Sequence, residues 1–295
     1  MLPVLKLQAT IALSEKNPDA IMEVYARPER AGESCPAMMV FAGGAMKFFT
    51  AGEMEPICRY YDAHGYQTFV VRYSVDPHCK YPDLLWECSR AVWEIRKNAA
   101  AYGVNPDRIA MNGFSAGAHV ITMYATHYHL PIAREGTDVP EGGNAICATI
   151  TGYTPTTFEN FGRNNDLTPE QRAQMEAEMR NRKAGGWALL DEPGSFFGDI
   201  PSLTSHAAVN EQTPPAFLWQ STSDVPGCAW DYAMNLKKCG VDFELHYFSD
   251  ELKGASMDFD PELHDKLRVA ERNTTMWPQM SLNWLERVYA RQSAK

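Results

Sequence analysis

Short apolar runs rich in β-formers alternate along the chain with stretches in which apolar residues recur every three or four positions. The short runs predict strands near residues 5–13, 21–26, 37–42, 67–73, 109–112, 146–151, 216–221 and 243–248. "PAMMVFAG" and "YQTFVVRY" are almost continuously apolar, as expected of strands covered on both faces. Between the latter and "RIAMNG" lies "PDLLWECSRAVWEIRKNAAAYG". There Leu84, Cys88, Ala91, Val92 and Ile95 follow the spacing of one helix face, and Gly103 is a natural stop. Strands alternating with helices imply a mostly parallel sheet with helices on both sides.

One region breaks the rhythm. From 152 to 214 no strand pattern recurs. "TPEQRAQMEAEMRNRKAGG" reads as a polar helix, with Thr168 as N-cap, Pro169 at the first helical position and Gln171 completing a capping box. It is either a solvated surface excursion or a cap over a site, since long insertions in compact domains are often functional. With no repeats and no low-complexity linker, residues 1–295 are expected to form a single domain.

Composition adds exclusions. A net charge of −10 argues against non-specific nucleic-acid binding, which needs clustered Lys and Arg. No apolar run approaches the ~18 residues that span a bilayer. The N-terminus lacks the basic start and continuous apolar stretch of a signal peptide. Seven scattered cysteines without a C-x-x-C pair fit reduced thiols in a cytoplasmic protein.

The chemistry concentrates in "NGFSAGAH", where Gly113, Ser115 and Gly117 form G-x-S-x-G. The stretch follows a predicted strand and opens a helix-compatible run, which is the setting of a nucleophile elbow. Ser115 would sit at the strained turn, and the Ala116 amide at the helix start would face a developing oxyanion. Read blandly, the serine only caps the helix.

Taken together, these pieces resemble an α/β-hydrolase of the esterase/lipase group that includes acetyl-xylan esterase-like and feruloyl esterase-like proteins. "FAGGAMKFFTAGEMEPICRYYDAHGYQTFVVRYSV", "YGVNPDRIAMNGFSAGAH", "TPPAFLWQS" and "VDFELHYF" carry the likeness, in that order. It implies an α/β-hydrolase fold: an eight-stranded, mostly parallel sheet with helices on both faces and an insertion after the sixth strand. It also implies that "AGGAM" supplies oxyanion amides from Gly44 and Ala45 beside that of Ala116. The family usually has glycine at the position of Ala45. By resemblance, His119 is a supporting residue and His246 a packing one.

The remaining triad members are less regular. In "FLWQSTSDVPG" a gap-free match puts Ser223 at the acid position. A gap in the shortened loop restores Asp224, the favoured candidate because a buried carboxylate orients a base; Asp231 is a distant second. Where the family carries its histidine, this chain reads "SDELKGASM", which places Lys253 there. For lysine to act as the base, its ordinary pKa of ~10.4 would have to fall to near neutrality, at a cost of roughly 4–5 kcal/mol. A neighbouring Asp224 would oppose that fall. His264, eleven residues further on, is the alternative base, within reach of a loop spanning ~3.3 Å per residue. His127 and His129 in "THYHL" lack partner ligands for a metal and read as a solvent-facing helix end.

The expectation is a serine-dependent hydrolase of small acyl esters, the sugar part of any acylated carbohydrate resting on the resemblance alone. The competing expectation is a fold of this type with altered or lost catalysis that binds a small ligand, motivated by an intact elbow without the usual histidine. A small-molecule ester is the expected partner, with no metal or organic cofactor, no nucleic acid and no membrane; a homo-oligomer is left open.

Overall fold

In the computed structural model, the residues described are 4–156, 204–222, 228–249 and 273–293. Eight strands form one sheet: β1 (Ala9–Ala12), β2 (Ile21–Val24), β3 (Cys35–Phe41), β4 (Gln67–Arg72), β5 (Val104–Phe114), β6 (Ala148–Gly152), β7 (Ala216–Ser221) and β8 (Phe243–Phe248). Their order across the sheet is β1-β2-β4-β3-β5-β6-β7-β8. β2 is antiparallel to both of its neighbours, and every pair from β4 to β8 is parallel. Each strand expected from the apolar runs is present.

The central strands show why those runs are continuous. Ala37 to Phe41 of β3 are all at 0% exposure, so neither face can carry a polar side chain. At roughly 1.5–3 kcal/mol for each large side chain buried, this strand is a principal anchor of the fold. Helices α2 (Asp83–Lys97) and α4 (Ala116–His127) pack on one face, with α5 (Cys228–Lys238) beside them over β7. Helices α1 (Glu55–Ala63) and α6 (Trp277–Ser293) cover the other. Among the described residues no helix is long and apolar enough to cross a membrane.

Two elements differ from the sequence pattern. The helix expected to run to Gly103 breaks at Asn98, and a short α3 (Ala99–Tyr102) follows it. The Asn98 amide donates to Glu94 O at 3.0 Å and to Glu94 Oε1 at 2.7 Å, a local bond that competes with helix continuation. Gly103, at φ 64°, then ends α3 in the left-handed conformation. β5 starts earlier than residue 109, and its register with β3 jumps between Cys35↔Val104 and Ala37↔Ile109.

The strand order positions the site. After β3 the chain turns to one side of the sheet to form β4, then returns to lay β5 on the other side of β3. The ends of β3 and β5 therefore flank the point where the winding reverses, and open α/β sheets leave a crevice there.

Candidate active site

Ser115 stands between the end of β5 and the first residue of α4, at φ 48° and ψ −117°. An L-residue avoids this conformation unless its surroundings impose it. The flanking glycines are what allow it. A Cβ on Gly117 would lie 2.2 Å from Phe41 O and 2.6 Å from Ala42 O, so α4 can start this close to the end of β3 only with glycine there. The Ser115 N–H donates to Gly152 O at 3.0 Å and is consumed by β6. The next amide, of Ala116, is the first of α4 and has no acceptor within its helix.

Facing the elbow is the loop after β3. Gly44 is at φ 145°, Ala45 at 52° and Met46 at 59°. A Cβ on Gly44 would fall 1.8 Å from Phe48 O, so no side chain fits. The loop closes on itself. Lys47 N and Phe48 N donate to Gly44 O at 2.9 and 3.2 Å, and Thr50 N donates to Gly43 O at 3.0 Å. Among the described residues the N–H groups of Gly44 and Ala45 meet no acceptor. Ala45 keeps its amide while adopting the backbone that a glycine would adopt without strain.

Two further residues complete this corner, and neither was expected from the sequence. Glu53 is 4% exposed, and its Oε2 accepts the Gly43 N–H at 2.6 Å. Its Oε1 accepts the Tyr153 hydroxyl. Tyr153 follows β6 at φ 37°, and its own N–H donates to Trp219 O at 2.9 Å. A Cβ on Gly43 would sit 2.9 Å from Ser115 Cβ and 3.0 Å from Glu53 Oε2, so the serine and the Glu53 carboxyl both pack against one glycine. The described non-glycine residues at positive φ are Ala45, Met46, Ser115 and Tyr153, all in this corner. Beneath them, Phe114, Tyr153, Trp219 and Trp277 pack ring against ring, with Trp219 and Trp277 stacked at 5.0 Å.

The structure thus brings together Ser115, Gly44, Ala45 and Ala116. The acid candidates Asp224 and Ser223, the base candidates Lys253 and His264, and the polar helix expected from Thr168 lie outside the described residues. Asp231 is exposed in the first turn of α5, where its side chain is not the buried carboxylate that orients a base. His119 is fully buried and donates from Nδ1 to Pro155 O at 3.0 Å. Burial holds its pKa down at about 4, against the pull of that hydrogen bond, and keeps the ring neutral. His246 packs on Phe217 at 5.1 Å and bonds Glu244 Oε1 at 2.7 Å. The reading of His127 as solvent-facing is overturned. It is 8% exposed, with Nδ1 2.9 Å from both Met123 O and Thr126 Oγ1, because α4 is buried along its whole length.

Comparison with known proteins adds a family and a fold. The profile of the BD-FAE family matches residues 22–228. Esterase LipQ of Mycobacterium tuberculosis is 26% identical over 207 residues, covering 69% of this chain and 46% of LipQ. Endo-1,4-β-xylanase B of Butyrivibrio fibrisolvens is 29% identical over 192 residues, covering 63% of this chain and 27% of that protein. The chain therefore spans less than half the length of these two relatives. Among solved structures, an acetyl ester-xyloside bifunctional hydrolase from Caldicellulosiruptor lactoaceticus superposes with a TM-score of 0.71 at 24% identity, over 97% of this chain and 98% of that one. That last likeness is one of fold.

Proposed function

The chain belongs to the BD-FAE family, and from that premise we propose that it is a serine-dependent carboxylester hydrolase acting on small acyl groups. The observation that carries this reading is the strained elbow at Ser115 facing a loop whose Gly44 and Ala45 amides meet no acceptor among the described residues. Such strain persists only where the surroundings over-determine it, and it clusters at working sites.

Ser115 Oγ attacks the acyl carbon as its proton passes to a base. The carbonyl oxygen becomes an oxyanion that receives the N–H groups of Gly44, Ala45 and Ala116, the last reinforced by the N-terminal end of α4. The protonated base then gives its proton to the departing alcohol, and water repeats the sequence on the acyl-serine. We assign the acid to Asp224 and the base to His264 or Lys253. With Ser223 in the acid position, a neutral Lys253 becomes easier to sustain.

An acylated sugar is the substrate class we favour, because two of the relatives are described as a xylanase and as an acetyl ester-xyloside hydrolase. The six described cysteines are free thiols, which supports placing the protein in the cytoplasm.

The test is labelling of Ser115 by a fluorophosphonate across pH. A rate midpoint near about 6–7 assigns histidine as the base, and one above about 8 assigns lysine. Failure of the folded protein to label rejects the enzyme reading. Ser115→Ala is expected to abolish ester turnover and leave the fold intact.

A further inference from the structure

The geometry points to Glu53 as a positioning residue: bracketed by the Gly43 amide and the Tyr153 hydroxyl, its carboxylate fixes the 43–46 loop so that the Gly44 and Ala45 amides face the oxyanion. This deepens the esterase reading and rests on it for its kinetic consequences. The contacts themselves do not depend on it.

The loop needs such a clamp. It holds a glycine at φ 145° followed by two L-residues at φ 52° and 59°, a sequence of backbone states that relaxes if nothing imposes it. From the downstream side it is closed by its own bonds, from Lys47, Phe48 and Thr50 back to the carbonyls of Gly44 and Gly43. Further along, Asp76 N donates to Met46 O at 2.8 Å. All of these bonds hold carbonyls. The peptide entering Gly43, whose plane sets the direction of the next two N–H groups, is held at both ends: its Ala42 carbonyl accepts the Tyr73 hydroxyl at 2.8 Å, and its Gly43 N–H donates to Glu53 Oε2 at 2.6 Å. A bond to a carboxylate is shorter and roughly twice as strong as one between neutral groups. The other carboxylate oxygen is held by Tyr153, whose backbone is tied to Trp219 on β7. Glu53 thus braces the end of β3 against the end of β6, while Ser115 N–H ties the end of β5 to Gly152.

Electrostatics separates this role from direct catalysis. A carboxylate beside a forming oxyanion repels it, so the benefit of Glu53 is geometric. The hydrogen bonds it accepts from Gly43 N–H and from the Tyr153 hydroxyl turn lone pairs toward those groups. A side chain of the same shape without the charge should therefore serve. In Glu53→Gln the amide oxygen can still accept from Gly43 N–H, and its NH2 can donate to the Tyr153 oxygen.

The experiment compares Glu53→Ala, Glu53→Gln and Tyr153→Phe in the full chain, by steady-state kinetics on an activated acetyl ester and by the amide NMR signals of residues 43–45. We expect Glu53→Ala to lower kcat about 100-fold with KM within threefold, the scale of one lost oxyanion donor. Glu53→Gln should recover to within about tenfold of the parent, and Tyr153→Phe should fall between the two. In the parent the Gly43 amide proton should be far downfield and slow to exchange, and in Glu53→Ala the Gly44 and Ala45 signals should shift or broaden. A folded Glu53→Ala protein with parental kcat, or unchanged signals at 43–45, overturns the proposal. If the parent shows no turnover and Ser115 does not label, the esterase reading fails; the NMR comparison still decides the clamp.

Discussion

Ala45 and Gly44 sit side by side in the loop proposed to hold the oxyanion and should respond to substitution in opposite ways. Ala45 is exposed and left-handed, so its Cβ costs about 1–2 kcal/mol of backbone strain and packs against little. Ala45→Gly should raise stability in urea by up to about 1 kcal/mol, the unfolded chain's gain in freedom offsetting part of the relief. Gly44→Ala drives a Cβ to 1.8 Å from Phe48 O and must open the loop. Its kcat should drop at least ~100-fold, as for loss of an oxyanion donor, with the far-ultraviolet circular dichroism retained. Parental kcat in Gly44→Ala would place the oxyanion site elsewhere. Of this corner, the sequence made the proposed nucleophile legible, because G-x-S-x-G between a strand pattern and a helix pattern is a local signal. Glu53 is not local in that sense. Its partners are Gly43, ten residues back, and Tyr153, a hundred residues on, and no spacing rule links a residue just before α1 to the ends of β3 and β6 before the sheet order is known.

At the scale of elements, binary patterning worked where burial is continuous and failed where one side chain competes with the backbone. β3 and β4 are read directly from their runs because both faces are covered. Asn98 breaks a helix whose apolar spacing continues past it, and the break is visible only in its bonds to Glu94. His127 looked exposed because a helix end near His129 and Leu130 is polar in pattern, yet α4 runs through the core. The acid and base candidates follow β7 and β8 in the sequence, where no apolar period constrains position. One element is pinned in a way that separates scaffold from site. Asp62, at the end of α1 and 1% exposed, bonds Arg27 Nε at 2.6 Å and lies 3.8 Å from Arg30 Nη1. Breaking a buried ion pair costs about 3–5 kcal/mol, less here because Arg27 keeps access to water. Asp62→Ala should lose about 2–3 kcal/mol in urea unfolding while the folded fraction keeps kcat within twofold. A matching loss of kcat would mean that α1 transmits strain to the loop at Glu53.

Across the whole molecule, two buried groups titrate against each other. Burial holds His119 at about 4, below its ordinary 6.5, so the unfolded chain binds a proton that the folded chain refuses between those values. Stability from this group is complete above pH 6.5 and is lost as pH falls through about 4, by about 3 kcal/mol. Glu87 behaves in reverse. Burial raises it from 4.5 to about 7, against the bonds it accepts from Ser74 N–H at 2.8 Å and from Ser74 Oγ. The folded chain then holds a proton that the unfolded chain has released, so stability falls as pH rises from 4.5 to 7, again by about 3 kcal/mol. The windows overlap almost completely, and the two contributions should nearly cancel between pH 4.5 and 6.5. Glu87→Gln removes one side of the balance while keeping an acceptor for Ser74. The difference in unfolding free energy, parent minus Glu87→Gln, should therefore decline by about 3 kcal/mol from pH 4.5 to 7. Urea melts at half-unit intervals read this directly. A flat difference would mean that Glu87 is ionised in the folded protein across the range, with Ser74 compensating for its burial.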